Sequence, residues 1–206
     1  MEADQQRYIR IETADYLLQT LRADNVCAEL NGWVRDPKLL HFLSIEPMFL
    51  SMGKFRKWVA EGMGEDNFWV GIFSRSTRKL VGVYMINIVP FHRLANVSIL
   101  IGDRDYWGRR VPSETVDYLV SALFDRCGIE KVVASIATKN KRMIISFVGW
   151  KPFFETVLRG ELLDDQGRGV DIMRFLWLKY AVPGEPGYLD WRRHLRLAKN
   201  GSSGAE

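Results

Sequence analysis

ILIGDRDYWGRRVPSETVDYLV, residues 99–120, is the stretch that decides how the chain is read. It begins as the end of a strand: Val97, Ile99, Leu100 and Ile101 leave little polar alternation, which predicts burial on both faces. It ends as an amphipathic helix over 113–127. Val116, Leu119, Val120, Leu123 and Phe124 recur at helical spacing and turn one face to a core. Gly128 supplies the stop. Between strand and helix lies a turn with Gly108, Arg109, Arg110 and Pro112. The first turn of a helix carries free N–H groups and partial positive charge, and a pyrophosphate fits there. Two arginines add full charge at the same place. Gly108 allows close backbone approach, and Pro112 fixes the angle of entry. Taken locally, the segment is either an anion-binding turn or an ordinary basic surface turn.

Reading outward, FWVGIFS (68–74) and LVGVYMINIV (80–89) have strand composition and join through a turn at Ser76-Thr77-Arg78; Pro90 ends the second. ANVSILIG (95–102) and KVVASIAT (131–138) are further strands. A short helix is expected over 141–148, ended by Gly149. Strands over 152–163 and 169–178 flank the turn Asp164-Asp165-Gln166-Gly167. Toward the N-terminus, 13–24 is expected to be helical, with Thr13 as N-cap and Leu17, Leu18 and Leu21 as its stripe. Asp36-Pro37 opens a short helix through Lys38–Phe42, and 52–62 presents Phe55, Trp58 and Val59 on one helical face. The expected architecture is mixed α/β (α+β), with helices packed on a largely antiparallel sheet. One domain is expected over 1–182, followed by a linker and basic tail over 183–206.

Composition narrows the function classes. The 206 residues are 47% apolar and 26% charged, as in an ordinary globular domain. Lys and Arg number 29 against 25 Asp and Glu, a net charge of +4. This suits an anionic small ligand and is too weak to call for nucleic acid. Cys27 and Cys127 are far apart, and His41, His92 and His194 are scattered, so neither a disulfide scaffold nor a metal site is expected. The opening MEADQQRYIR has no apolar run and no segment approaches a membrane span, so a cytoplasmic protein is expected. No Walker-type phosphate loop or G-x-S-x-G elbow occurs.

The segment DRDYWGRRVPSE resembles the acetyl-coenzyme A loop of GNAT N-acetyltransferases. It is most similar to the subgroup with ribosomal-protein-alanine and sugar-amine N-acetyltransferases. Ile101, Gly102, Asp103, Tyr106, Trp107, Gly108 and Glu114 sit where that subgroup's I-G-D-x-x-Y-W-G segment and the following helix place the same residues. Asn140 after the next strand and the pair Gly149-Trp150 also fit, and the order of elements agrees from about residue 8 to 180. The resemblance implies a sheet that splays beyond Val97, with pantetheine in the opening. Acetyl-CoA would be the co-substrate. It would be held by Ile99, Leu100, Ile101, Trp107, Gly108, Arg109, Arg110, Val111, Pro112, Ser113, Asn140 and Phe147. Backbone N–H groups of 108–113 would take the pyrophosphate, and one near Ile99–Ile101 the thioester carbonyl. An amine, small or peptide, would attack directly. Dimerisation is common in the family.

The departures from the pattern are chemical. Asp105 and Arg110 replace a Gln or Arg and a Gly or Ala of the loop. Asn96 stands where many members carry a Glu base, and Phe147 where many carry a Tyr acid. His92, just before the strand, is a second candidate base, with an ordinary loop histidine as the alternative. The acceptor region implied by the resemblance includes Trp33, His41, Phe42, Glu46, Phe49 and Trp58, whose plainer reading is packing. Three functions stay open: an active N-acetyltransferase, a CoA-binding protein without catalysis, and a nucleic-acid binder using the tail WRRHLRLAK (191–199).

Overall fold

Eight segments of this chain join one sheet, some by alternation of buried and exposed side chains and others, such as 67–74, as nearly continuous apolar runs. The computed structural model describes residues 8–41, 43, 45–61, 66–150, 152–164, 166–185, 187–190, 192–194 and 196. Its elements are β1 (Arg10–Glu12), β2 (Tyr16–Thr20), α1 (Ala28–Trp33), α2 (Pro37–Leu40), α3 (Met52–Ala60), β3 (Asn67–Ser74), β4 (Leu80–Val89), β5 (Leu94–Ile101), α4 (Val111–Arg126), β6 (Lys131–Ala137), α5 (Lys141–Trp150), β7 (Phe153–Leu163) and β8 (Gly169–Leu178). The strand order is β1-β2-β3-β4-β5-β6-β8-β7. Every neighbouring pair is antiparallel except β5 and β6. The expected class and the order of elements from residue 67 onward are therefore present.

Two cores cover the two faces. One gathers Tyr84, Ile86, Val97, Leu119, Leu123, Phe147, Phe175 and Trp177 beneath α4 and α5. The other gathers Leu30, Leu39, Phe55, Val59, Trp69, Val83 and Leu100 beneath α1, α2 and α3. Asp36 caps α2 by accepting from Lys38 N at 2.9 Å. Ser51 caps α3 by accepting from Lys54 N at 3.4 Å. No described helix is long and apolar enough to cross a membrane.

The helix expected over 13–24 is instead the hairpin of β1 and β2 followed by a 3-10 turn at Ala23–Asn25. Ile9, Ile11, Tyr16 and Leu18 are buried at spacing two, a strand period that a window starting at Thr13 cuts in half. Thr13 caps a turn, not a helix: its hydroxyl accepts from Tyr16 N at 3.0 Å. Gly149 does not stop α5, which continues to Trp150; Pro152 is the stronger break. On β5 the burial expected on both faces is partial, because Asn96 is exposed and Ile99 and Ile101 are only half-buried. Phe42, Gly62, Asp165 and the end of the tail lie outside the described residues.

The chain after β8 turns back onto the sheet. Leu178 N donates to Gly187 O at 2.9 Å, and Tyr188 bridges to Leu178. Farther on, His194 sets its ring edge-on to Tyr118 of α4, 5.2 Å between centroids.

Candidate active site

The site begins with a failure of pairing. β5 and β6 are matched only at Leu94↔Lys131, Ala95↔Val132 and Asn96↔Val133. Beyond these, β5 stays with β4 as far as Ile101↔Gly82, and β6 stays with β8 as far as Ala137↔Ile172. The two halves of the sheet therefore part at residue 97, and a cleft of about 450 Å³ opens between them. Val97–Ile101 form one wall and Ala134–Ile136 the other.

At one end the cleft meets the turn that leads into α4. Gly102 lies flat against Trp33, so close that a Cβ there would stand 1.9 Å from the indole ring. Asp103 accepts from Asp105 N at 3.0 Å and sets a 3-10 turn over Arg104–Tyr106. Trp107 folds back, its Nε1 donating to Ile101 O at 2.9 Å. Gly108 takes φ +74° with open space around it, a conformation that favours glycine. Arg109 places its guanidinium 4.6 Å from the centroid of the Tyr106 ring. The hydroxyl of Tyr106 titrates below its usual range, held by hydrogen bonds to Ser74 and Thr77 and then by the Arg109 charge. Arg110, at the position of the family's second small residue, has φ −80° and ψ 24°. The backbone there is ordinary, and an arginine fits it without strain.

α4 itself is tied to the sheet. Tyr84 and Thr115 share a 2.7 Å hydrogen bond, and the Thr115 hydroxyl lies 2.7 Å from Val111 O. Both side chains are buried, and burial pushes the Tyr84 phenol well above its usual range. The start of α4 is thereby fixed beside the end of the cleft, which Pro112 lines. The expected cradle of 108–113 is narrower than the full run: Arg109 N donates to Tyr106 O, and Pro112 has no N–H. Gly108, Arg109 and Pro112 line the cleft; Arg110, Val111 and Ser113 are not among its lining residues, and Val111 is fully buried.

The remaining expected residues divide. Ile99, Leu100 and Ile101 line the cleft, although Leu100 packs its side chain into the core under α1–α3. Asn140 also lines it, with its oxygen already accepting from Met143 N at 3.2 Å at the start of α5. Phe147 closes the floor, 5.0 Å from Phe175 and 6.2 Å from Trp177 between centroids. Asn96 is exposed at the last paired position, just before the lining begins at Val97, and its amide is hydrogen-bonded along the sheet. Asn96 Nδ2 donates to Asn87 Oδ1 at 3.2 Å, and Asn87 Nδ2 donates to Asn67 Oδ1 at 3.1 Å. His92 is not brought to the cleft. It sits in an exposed turn at the opposite end of β5, against Phe91.

Sequence reading passed over several lining residues. Lys38, Leu39 and Leu43 come from the helical layer, Ser98 and Ser135 from the parted strands, and Arg142 from α5. One signal was available: Ile145 is an apolar residue on the solvent side of a helix, 73% exposed. The cleft passes through the sheet. Met143 and Phe147 lie on its α4–α5 side, and Lys38, Leu39 and Leu43 on the other.

The comparisons with known proteins agree with this geometry. The family model of the acetyltransferase (GNAT) domain matches residues 16–145. Among solved structures, a spermidine N-acetyltransferase from Vibrio cholerae, in complex with CoA and spermine, superposes with a TM-score of 0.69 at 16% identity, covering 81% of this chain and 96% of that one. A ribosomal-protein-S5-alanine acetyltransferase from Vibrio fischeri gives 0.68 at 13%, covering 86% and 100%. A GCN5-related N-acetyltransferase from Brucella melitensis gives 0.67 at 16%, covering 84% and 80%. No curated protein sequence matches.

A sheet split beside a glycine- and arginine-bearing turn at a helix start defines an acyl-CoA-dependent transferase, and the chain belongs to the GNAT acetyltransferase family. It is an enzyme whose acetyl donor is acetyl-CoA. The residues fit that donor: Arg109 and Arg142 supply charge for phosphates, and the unpaired edge of Val97–Ile101 is an extended backbone for pantetheine to lie along.

Proposed function

We infer that the enzyme transfers the acetyl group to a primary amine, small or peptide-borne, by direct attack in a ternary complex. One observation carries this reading: the cleft opens on both faces of the sheet, with the turn bearing Gly108 and Arg109 at one end only. The donor occupies the end at Gly108 and Arg109, and the acceptor reaches the thioester from the side of Lys38 and Leu39. Two structural relatives are named for amine substrates, spermidine and the alanine of a ribosomal protein. In the reaction the amine nitrogen bonds to the carbonyl carbon, the C–S bond breaks, and sulfur leaves as a thiolate. One amine proton passes to water. A backbone N–H in Ile99–Ile101 polarises the carbonyl.

Asn96 cannot take a proton. Its Nδ2 is engaged by Asn87, so its Oδ1 is the atom offered to an incoming N–H. The acceptor therefore reacts as its free base, already neutral on arrival. A thiol of ordinary pKa, about 8.5, leaves readily without the acid that Phe147 lacks. The enzyme's contribution is positioning. In the same reading, residues 1–182 form the catalytic domain and 183–206 an appendage to it.

A second reading, CoA binding with little turnover, is favoured by the same two residues, Asn96 and Phe147. Release of free thiol from acetyl-CoA with a panel of amines separates the two. Amine-dependent release supports transfer. Tight acetyl-CoA binding without release supports the second reading.

A further inference from the structure

Arg174 of β8 has no counter-ion among the described residues. It is paired in register with Ser135 of β6 on one side and Thr156 of β7 on the other. Its Nε is buried and donates no hydrogen bond. Strand alternation puts it on the face opposite Phe175 and Trp177, away from the core under α4. Its neighbours on that face are apolar and buried: Ile172 and Leu176 along the strand, Val133 and Ala137 across it. The chain after β8 walls this surface, since a Cβ on Gly187 would come 2.7 Å from Leu176 Cδ1. A guanidinium nitrogen withdrawn from water calls for an acceptor. Arg10, Arg75, Arg93, Arg104, Arg159 and Arg168 each have a carboxylate within 4.0 Å. Arg174 forms no such pair with any described residue, and Glu155, beside Thr156, is engaged by Lys131 at 2.7 Å.

The register locates Arg174 relative to the chemistry. Asn96↔Val133 is the last matched pair, and parallel strands advance together, so Ser98 and Ser135 flank the opening at one level. Both line the cleft, and Arg174 stands one strand further on from Ser135. With Arg109 and Arg142 facing the CoA phosphates, Lys38 is the charged lining residue left on the acceptor side, and no Asp or Glu is among the described lining residues. Such a surface offers a polycation no carboxylate.

We propose that Arg174, flanked by Ser135 and Thr156, binds a carboxylate carried by the acceptor, so that the enzyme selects an amine that also bears a carboxylate over a polyamine. The inference rests on the cleft being the acetyl-transfer site. Arginine takes a carboxylate through two parallel N–H···O bonds, and the two hydroxyls add donors on either side.

The test uses product-like probes on CoA-saturated protein. N-acetylglycine, N-acetyl-β-alanine and N-acetyl-γ-aminobutyrate are titrated calorimetrically, each as the acid and as the primary amide, into wild type, Arg174→Gln and Arg174→Lys. Wild type is expected to bind at least one acid roughly tenfold or more tighter than its amide. Arg174→Gln should bind the two alike, Arg174→Lys should recover part of the preference, and CoA affinity should not move. Equal binding of acid and amide by wild type, no binding of any acid at tens of millimolar, or a preference that survives Arg174→Gln overturns the proposal. The preceding CoA titration reports separately on the transfer site: absence of CoA binding there contradicts the acetyl-transfer reading itself.

Discussion

Asn96 donates its Nδ2 hydrogen to Asn87 Oδ1 at 3.2 Å, and Asn87 passes the same sense of bonding on to Asn67. The residue just before the sheet splits therefore carries an amide and not a base. If no enzyme carboxylate removes the proton, the pH dependence belongs to the acceptor. The rise of log kcat/KM with pH should track the amine, ending near 8 for an α-amine and near 10 for an alkylamine, values of about 7.7–8.0 and 10.4 in the unbound groups. Asn96→Ala should lower kcat about tenfold and leave the KM for acetyl-CoA unchanged. Steady-state rates across pH with two acceptors check both statements. A limb at the same acidic pH for both amines contradicts the first.

The bond between Tyr84 and Thr115 fixes where the start of α4 points. Tyr84→Phe removes it but leaves Thr115 its bond to Val111 O, so a loss of about 1 kcal/mol is expected. For a chain of this size that is a fall in Tm of about 2–4 °C. Thr115→Val leaves the buried phenol without a partner and should cost more. Thermal unfolding of the two variants gives the order directly.

Gly102 and Trp33 are in contact through the glycine's missing side chain. A methyl group there forces the indole aside, and Gly102→Ala should cost about 1–3 kcal/mol. Trp33→Leu makes room, so the double variant should be more stable than the sum of the singles predicts. Additive losses in denaturant unfolding would show that the ring moves freely.

The β7–β8 hairpin should carry an acid-dependent share of stability. Asp171 titrates low because it accepts from Gly160 N and faces Arg159, and Asp164 titrates low because it accepts from Arg168 N, Arg168 Nε and Gln166 N. A depressed folded pKa means that the stabilisation is present above the unfolded value, about 3.9, and is lost as pH falls through the folded one. Asp164→Asn/Asp171→Asn should therefore be less stable than wild type at neutral pH, with the gap narrowing below pH 4. Urea unfolding at several pH values measures it; a gap constant with pH contradicts the assignment.

Much of this was legible in the sequence. Residues 99–120 carry the strand, turn and helix in order, and the class follows from them. The N-terminal hairpin was not legible, because Leu17, Leu18 and Leu21 mimic a helical stripe once Ile9 and Ile11 fall outside the window. Lining residues contributed by local chain, such as Gly108 and Arg109, were legible as one turn. Relations set by register were not: Asn96, singled out in the sequence, meets Asn87 and Asn67 only because three strands align, and Ser98 and Ser135 face one opening only because two strands part. Alternation tells which face a residue takes, not which neighbour it meets across a sheet.

Acetyl transfer by this chain depends on the turn at 108–110 and the start of α4 holding acetyl-CoA. Thermal unfolding of wild type and of Arg109→Glu/Arg110→Glu, with and without acetyl-CoA, tests it most directly. At about one hundred times the dissociation constant, binding adds roughly 2.7 kcal/mol, a rise of about 5–10 °C in Tm for a domain of this size. The account predicts that rise in wild type and its loss in the variant. No rise at millimolar acetyl-CoA, or an equal rise in both proteins, would contradict it.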